Sequence, residues 1–164
     1  MQLNLKKISI LIIEDMEPMR LIQKGVLEHI DVGKIYTAEN GEDGLEITKR
    51  VNPDIILADW KMHPMDGIEF SKAVRGDVTM PNRYVPIIMV TGFNATHRVA
   101  MARDAGVTEF LIKPFTAQQL ARRIAYVINK PRDFIETRIF FGPDRRRQNP
   151  AHFNGPYRRT DDKK

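Results

Sequence analysis

The sequence contains no cysteine, which excludes disulfide bonds, thiolate metal sites and catalysis by a cysteine nucleophile. It also contains no apolar run near the roughly 20 residues that a membrane-spanning helix needs. The first residues lack the basic, apolar and small-residue regions of a secretion signal. These absences predict a cytoplasmic protein without membrane insertion, whose stability depends on an ordinary apolar core.

Lysine is missing from the middle of the most basic part of the chain. Of the 26 lysines and arginines, nine lie in residues 131–164, against five of the 21 acidic residues, so most of the net charge of +5 belongs to this segment. Between Arg138 and Arg159 there are six arginines, no lysine and a single acid. A guanidinium makes planar, bidentate and stacking contacts that an ammonium does not. The segment therefore favours a binding role over a solubilising one.

Residues 1–130 alternate between short apolar, β-branched runs and amphipathic stretches. Strands are predicted at 8–13, 34–38, 55–58, 85–90 and 110–112. Helices are predicted at 18–29, 42–51, 67–74, 96–105 and from Thr116, the expected N-cap, to 130. Five such alternations indicate an α/β domain, a doubly wound five-stranded parallel sheet with helices on both faces. We assign this domain to residues 6–130.

Polar side chains stand at the predicted ends of the strands. Glu14 and Asp15 follow the first strand, Asp59 the third, Thr91 the fourth and Lys113 the fifth. Because the carboxyl ends of parallel strands share one edge, these groups converge on one crevice. Three carboxylates need a cation, and hard oxygen ligands favour Mg²⁺. A lysine and a hydroxyl can hold phosphoryl oxygens, and a carboxylate can attack phosphorus, so we predict an aspartyl-phosphate site.

These residues resemble the receiver domain of response regulators of the CheY type, over about residues 6–130. The matching motifs are Glu14-Asp15, Asp59-Trp60-Lys61-Met62, Met65-Asp66-Gly67, Thr91-Gly92 and Lys113-Pro114-Phe115. The resemblance implies a flavodoxin-like fold and a phosphodonor that is a histidine kinase or a phosphotransfer protein. It also implies that the chain is not an independent enzyme, since it would catalyse only its own phosphoryl transfer and dephosphorylation.

The resemblance implies a role for each residue of the crevice. Asp59 is expected to accept the phosphoryl group. Asp15 and Asp59 are expected to bind Mg²⁺ directly, with Glu14 acting through water and the Lys61 backbone carbonyl as a further ligand. Lys113 is expected to pair with the phosphoryl oxygens.

Three further features carry over to the segment from Thr91 to Pro114. Thr91 is expected to move to bond a phosphoryl oxygen. Phe110 stands where the family has its aromatic switch residue, although a plain core aromatic is an equal interpretation. The Lys113–Pro114 peptide is expected to be cis. The family usually has proline four residues after the phosphoacceptor, whereas here His63 takes that place and Pro64 follows, so the adjoining loop is expected to differ in shape.

The segment after Pro131 lacks the apolar periodicity of a second domain, so we predict an extended or locally ordered arginine-rich tail over 131–164. Within it the pattern Phe-x-Gly-Pro-x-Arg-Arg occurs twice, at 140–146 and at 153–159. A spacing of 13 residues is too short for a solenoid repeat. The duplication is therefore interpreted as a duplicated contact.

The tail has the chemistry to bind a phosphorylated purine. Arginine can pair with guanine O6 and N7, stack on a base or clamp a phosphate, aromatic rings offer stacking faces, and a carboxylate can accept hydrogens from guanine. A ligand with twofold symmetry, such as cyclic di-GMP, would fit a duplicated motif. The candidate nucleotide-binding residues are Phe141, Asp144, Arg145, Arg146, Arg147, Tyr157, Arg158 and Arg159.

The tail also resembles that of the arginine-rich CheY-like proteins, a bacterial group whose short arginine-rich segment binds cyclic di-GMP. That resemblance rests on about 20 residues, and it implies control of a partner such as the flagellar motor switch. The alternatives are a plain phosphorelay receiver whose tail docks on another protein or is disordered, and, less favoured, a tail that binds nucleic acid non-specifically through phosphates.

Overall fold

The computed structural model describes residues 4–92 and 96–144, in which strands and helices alternate. After a short 3₁₀ turn at Leu5–Lys7, the strands of the domain are β1 Ser9–Ile13, β2 Lys34–Ala38, β3 Ile55–Asp59, β4 Ile87–Thr91 and β5 Glu109–Ile112. The helices are α1 Glu17–His29, α2 Gly41–Val51, α3 Gly67–Gly76, α4 Thr96–Asp104 and α5 Ala117–Asn129. None of the described helices is long and apolar enough to cross a membrane.

The five strands form one parallel sheet in the order β2-β1-β3-β4-β5. The predicted doubly wound sheet is therefore confirmed, and the order reverses between β1 and β3, where a crevice opens at the carboxyl ends. Strand β4 begins two residues later than predicted. The Pro86 carbonyl accepts a hydrogen bond from Ile56, but proline has no N–H to donate, so regular pairing starts at the next residue. Thr91 is the last residue of β4 rather than the first after it.

Alternating side chains of the central strands bury both faces of the sheet. Ile10 and Ile12 face α1 and α5, with Leu27 and Ile124 among their neighbours in one core cluster. The intervening residues of β1 point to the opposite face, where Phe70 of α3 belongs to the second cluster. Each fully buried side chain of this size contributes about 1.5–3 kcal/mol to folding, so the two clusters fix the sheet that positions the crevice.

The predicted cap of the last helix is confirmed. The Thr116 hydroxyl accepts a hydrogen bond from the Gln119 amide at 3.2 Å, and the Gln119 side chain accepts one from the Thr116 amide at 2.8 Å. Asp66 and Glu69 make the same reciprocal pair at the start of α3. These caps set where α3 and α5 begin, and hence the lengths of the loops that leave β3 and β5.

The first part of the predicted tail forms a β-hairpin that the sequence did not predict. Strands β6, Phe134–Glu136, and β7, Phe141–Pro143, pair antiparallel. Gly142 and Pro143 are buried, and Arg132 Nη1 donates to the Thr108 carbonyl at 3.0 Å. Because Thr108 directly precedes β5, the hairpin lies at the amino-terminal edge of the sheet, opposite the crevice.

Candidate functional site

Four strands deliver the predicted polar residues to the carboxyl edge of the sheet. Glu14 and Asp15 follow β1 directly, Asp59 ends β3, Thr91 ends β4, and Lys113 follows β5. The Lys113 amide donates to the Thr91 carbonyl at 2.8 Å, which extends the pairing of β4 with β5 by one residue. The expected convergence of these five residues is observed.

The three acidic residues form a compact cluster. One carboxylate oxygen from each of Glu14, Asp15 and Asp59 lies within 4.8 Å of the others. Glu14 is fully buried and Asp59 is 9% exposed, whereas Asp15 is exposed to solvent. Oxygen donors so close together repel unless a hard cation joins them, so this donor set fits Mg²⁺ with its open side at Asp15.

Lys113 joins two of the acids. Its Nζ lies 2.7 Å from Glu14 Oε2 and 3.2 Å from Asp59 Oδ1. Gln23 of α1, a residue that the sequence did not single out, donates from Nε2 to Glu14 Oε2 at 3.1 Å. The buried Glu14 carboxylate is thus held from two sides, and the Lys113 ammonium is held beside the Asp59 oxygen on which phosphoryl chemistry is predicted.

The surroundings of Asp59 and Lys113 raise the pKa of both groups. Burial raises the pKa of Asp59 and the negative charge of Glu14 raises it further, and together they outweigh Lys113 and the Trp60 amide, which lower it. Burial alone would lower the pKa of Lys113, but its hydrogen bond to Glu14 and the charge of Asp59 outweigh that effect and raise it. Lys113 therefore stays protonated at neutral pH, and a divalent cation near Asp59 would favour the ionised carboxylate.

Thr91 and Phe110 lie on the neighbouring strands β4 and β5. Thr91 is buried at the end of β4. The half-buried ring of Phe110 packs against a small apolar cluster that includes Trp60, Met89 and Ala102. This contact with α4 is what both interpretations of Phe110 require, so its role as a switch residue stays a prediction.

The loop after β3 forms one wall of an open cleft beside the acids. It passes through a cis peptide at His63–Pro64, and the expected cis peptide at Lys113–Pro114 is also present. The cleft has a volume of about 550 Å³, and its lining residues are Asp15, Trp60, Lys61, Met62, His63, Asp66, Arg98 and Met101. Its opening beside Asp15 leaves room for a phosphodonor to approach the acids.

Two of the predicted nucleotide-binding residues are described, and both lie far from the acids. The Phe141 ring packs edge-on against Tyr84, with a centroid separation of 5.1 Å, and beneath the Arg83 guanidinium at 3.9 Å. The Asp144 amide donates to the Asp133 carbonyl at 2.7 Å. The other candidates, Arg145–Arg147, Tyr157, Arg158 and Arg159, lie outside the described residues.

Comparisons with known proteins agree with this geometry. Residues 10–125 match the family model described as the response regulator receiver domain. Chemotaxis protein CheY of Pseudomonas aeruginosa is 33% identical over 122 residues, covering 74% of this chain and 97% of that protein. Chemotaxis protein CheY-3 of Vibrio cholerae is 30% identical over 125 residues, covering 76% of this chain and 95% of that protein.

A solved structure gives the same result for the fold. The structure of Vibrio cholerae chemotaxis protein CheY4 superposes with a TM-score of 0.68 at 27% identity, covering 73% of this chain and 98% of that one. The family match ends at residue 125, before the hairpin and the arginine-rich segment. On the matched residues and their fold, this chain belongs to the response regulator receiver domain family, the CheY-like proteins of two-component signalling.

Proposed function

We propose that this protein is a switch controlled by phosphorylation of Asp59. The observation that carries the proposal is the placement of the Asp59 carboxylate, which lies 3.2 Å from the Lys113 ammonium and within the cluster of Glu14 and Asp15. A carboxylate at a strand end, next to a cation and a metal-binding pair of acids, is equipped to take a phosphoryl group. The donor would be the phosphohistidine of a kinase or of a phosphotransfer protein.

Each residue of the crevice has its own role in the proposed phosphoryl transfer. An Asp59 oxygen attacks phosphorus, and the bond from phosphorus to the donor nitrogen breaks. Mg²⁺, held by Asp15 and Asp59 with Glu14 and the Lys61 carbonyl nearby, would neutralise negative charge during transfer. Lys113 already lies beside Asp59 and would pair with a phosphoryl oxygen.

The output of the switch is proposed to pass through Thr91 and Phe110. A phosphoryl oxygen at Asp59 would draw the Thr91 hydroxyl, and the space that Thr91 leaves would admit the Phe110 ring. Phe110 packs in one cluster with Ala102 of α4, so the surface of α4 and β5 would change with phosphorylation. The curated relatives are chemotaxis proteins, which supports a partner such as the flagellar motor switch.

The phosphorylation proposal is tested by incubating the protein with Mg²⁺ and a small phosphodonor such as acetyl phosphate. Intact-mass analysis should show the addition of one phosphoryl group, and Asp59→Asn should abolish it. Asp31→Asn serves as the control, because Asp31 is an exposed acid far from the cluster. Labelling that persists in Asp59→Asn would show that another group is the acceptor.

We also propose that the arginine-rich tail binds cyclic di-GMP and so adds a second input. The support is the duplicated pattern with its clustered arginines, together with the hairpin, which ties residues 134–143 to the domain. The test is a calorimetric titration of cyclic di-GMP into the full-length protein and into a variant with Arg145–Arg147 changed to alanine.

The expected result is binding that is lost in the alanine variant and is weaker for cyclic di-AMP, since adenine lacks the O6 acceptor. Substitution is preferable to truncation after Lys130, because truncation would also remove the hairpin that packs on the domain. No heat from the parent would favour the plain phosphorelay receiver with a docking tail. Binding of any polynucleotide with a steep salt dependence would favour non-specific nucleic-acid binding.

A further inference from the structure

A second cleft, which we call the hairpin cleft, lies between the hairpin and the ends of α3 and α4. It has a volume of about 310 Å³ and lies at the amino-terminal edge of the sheet, away from Asp59. Its basic and aromatic lining residues are Lys72, Arg75, Arg83, Arg138, Phe140 and Phe141. No role in phosphoryl transfer accounts for a basic cleft at this end of the domain.

The cations of the hairpin cleft are not neutralised by ion pairs. Four basic side chains line the cleft against two acids, Asp104 and Glu136. Over residues 4–92 and 96–144, no salt bridge involves any of the four. Arg75 and Arg83 donate to backbone carbonyls instead, such as Arg75 Nε to Gly106 O at 3.0 Å. The cleft therefore keeps an excess of positive charge, which attracts anions.

Arg75 makes this excess unusual because it is almost fully buried. The residue is 3% exposed, and within the described part of the chain its Nη2 has no hydrogen-bond partner. Burial, and then the charge of Arg83, lower the pKa of Arg75 to about 9. A buried guanidinium without a carboxylate partner is costly, so an anion bound nearby would stabilise it.

The aromatic rings beside the cations indicate what kind of anion the hairpin cleft would bind. Phe140 and Phe141 both line the cleft, and the Arg83 guanidinium lies 3.9 Å from the centre of the Phe141 ring. Cations next to aromatic surface suit a ligand that carries both a phosphate and a flat base.

We propose that the hairpin cleft is a phosphate-binding subsite for the cyclic dinucleotide. The proposal rests on the proposed function of the tail. Lys72 and Arg138, the two exposed cations, bind a phosphate of the nucleotide. The buried Arg75 adds positive potential beside them.

The test is a calorimetric titration of cyclic di-GMP into the full-length protein and into the double variant Lys72→Ala/Arg138→Ala. Both side chains are exposed and lack a salt bridge among the described residues, so their removal breaks no ion pair. We expect Kd to rise by about tenfold for each charge-assisted hydrogen bond that is lost.

The control is the double variant Lys34→Ala/Arg122→Ala, which changes the net charge equally at exposed positions away from the cleft. Its Kd should differ from that of the parent by less than about twofold, because remote surface charges are screened. A second measurement needs no substitution. In NMR spectra of the parent protein, cyclic di-GMP should shift the amide signals of Gly106 and Gly142 beside the cleft and leave that of Gly25 in α1 unchanged.

Each outcome bears on the proposal. The cleft subsite is overturned if the cleft variant and its control bind cyclic di-GMP with equal affinity. It is also overturned if the parent binds but its Gly106 and Gly142 signals do not shift. Either result leaves nucleotide binding by the tail standing. No binding by the parent overturns both proposals. Weaker binding by the cleft variant alone, with shifts at the two cleft glycines, supports the subsite in the hairpin cleft.

Discussion

The two edges of the sheet carry charges of opposite sign. At the carboxyl edge, Glu14, Asp15 and Asp59 gather around one lysine, so the edge has an excess of negative charge. At the amino-terminal edge, the hairpin cleft gathers four basic residues around two acids. The carboxyl edge is suited to bind a cation, and the amino-terminal edge is suited to bind an anion. The comparison teaches that the sheet places two sites of opposite charge at its opposite edges, so each can be altered without touching a residue of the other.

The largest expected effect comes from removing the cation of the carboxyl edge. Lys113→Met leaves the fully buried Glu14 carboxylate with Gln23 as its side-chain hydrogen-bond donor. Breaking a buried pair in this way should lower the free energy of unfolding by about 3 kcal/mol at neutral pH, measured by urea denaturation. Lys130→Met, at an exposed position, is the control. An unchanged free energy of unfolding would show that the edge does not depend on this ion pair.

The second-largest effect on stability is expected at the amino-terminal edge, where the hairpin packs on the domain. Phe134 contacts Tyr84 edge to face and Phe141 at a tilt, with its ring 5.0 Å from the Arg75 guanidinium. Because the ring is half-buried, Phe134→Ala should lower the free energy of unfolding by about 2 kcal/mol, whereas Ile139→Ala at the exposed hairpin tip should leave it nearly unchanged.

Combining Phe134→Ala with Lys113→Met sharpens the comparison between the edges. If the sheet separates them, the two losses of stability should add to within about 0.5 kcal/mol. A coupling energy well above that value would show that the edges communicate in the unphosphorylated protein.

A smaller effect is expected from Mg²⁺ at the carboxyl edge. At roughly ten times its Kd, Mg²⁺ should stabilise the folded protein by about 1.4 kcal/mol, which thermal unfolding with and without chelator would detect. Asp15→Asn should remove this stabilisation at little cost to the fold, since Asp15 is exposed. Equal stabilisation of the parent and Asp15→Asn would place the bound cation elsewhere.

The smallest effect concerns the charge on Asp59. Its pKa in the folded protein is raised by burial and by Glu14, so the folded state binds the proton more tightly than the unfolded state does. The resulting cost is absent below the ordinary pKa of Asp and fully present above the raised pKa, so stability falls as pH rises between the two. In chelator at neutral pH, Asp59→Asn should therefore be more stable than the parent towards urea, and the difference should vanish at acid pH. A variant less stable than the parent at neutral pH would reverse this assignment.

Much of the carboxyl edge could be predicted from the sequence, because strand ends are local features and parallel strands bring them together. Glu14, Asp59 and Lys113 each follow or end an apolar run, and the structure places them in contact. The pairing of Lys113 with Glu14 joins residues 99 positions apart and depends on the strand order, which periodicity does not encode. Gln23 escaped notice because a polar residue within an amphipathic helix normally faces solvent.

The hairpin could not be predicted for a different reason. Its strands have three residues each, too few for an alternating pattern to be recognised, and one of them contains Gly142 and Pro143. What stabilises it is tertiary contact with Tyr84, Arg75 and Arg83, in parts of the chain at least 50 residues earlier. Within the first copy of the duplicated pattern, Phe141, Gly142 and Pro143 therefore have a packing role, which the repeat alone did not reveal.

The contact between Arg75 and Gly106 fixes one end of α4. Gly106 has φ +83°, and a side chain there would meet Arg75 Cγ at 2.7 Å, so the turn after α4 fits closely over the guanidinium that also carries the hairpin. In the proposed switch, α4 would therefore move least at Gly106 and most at its Thr96 end, while the hairpin that packs on Arg75 would keep its place.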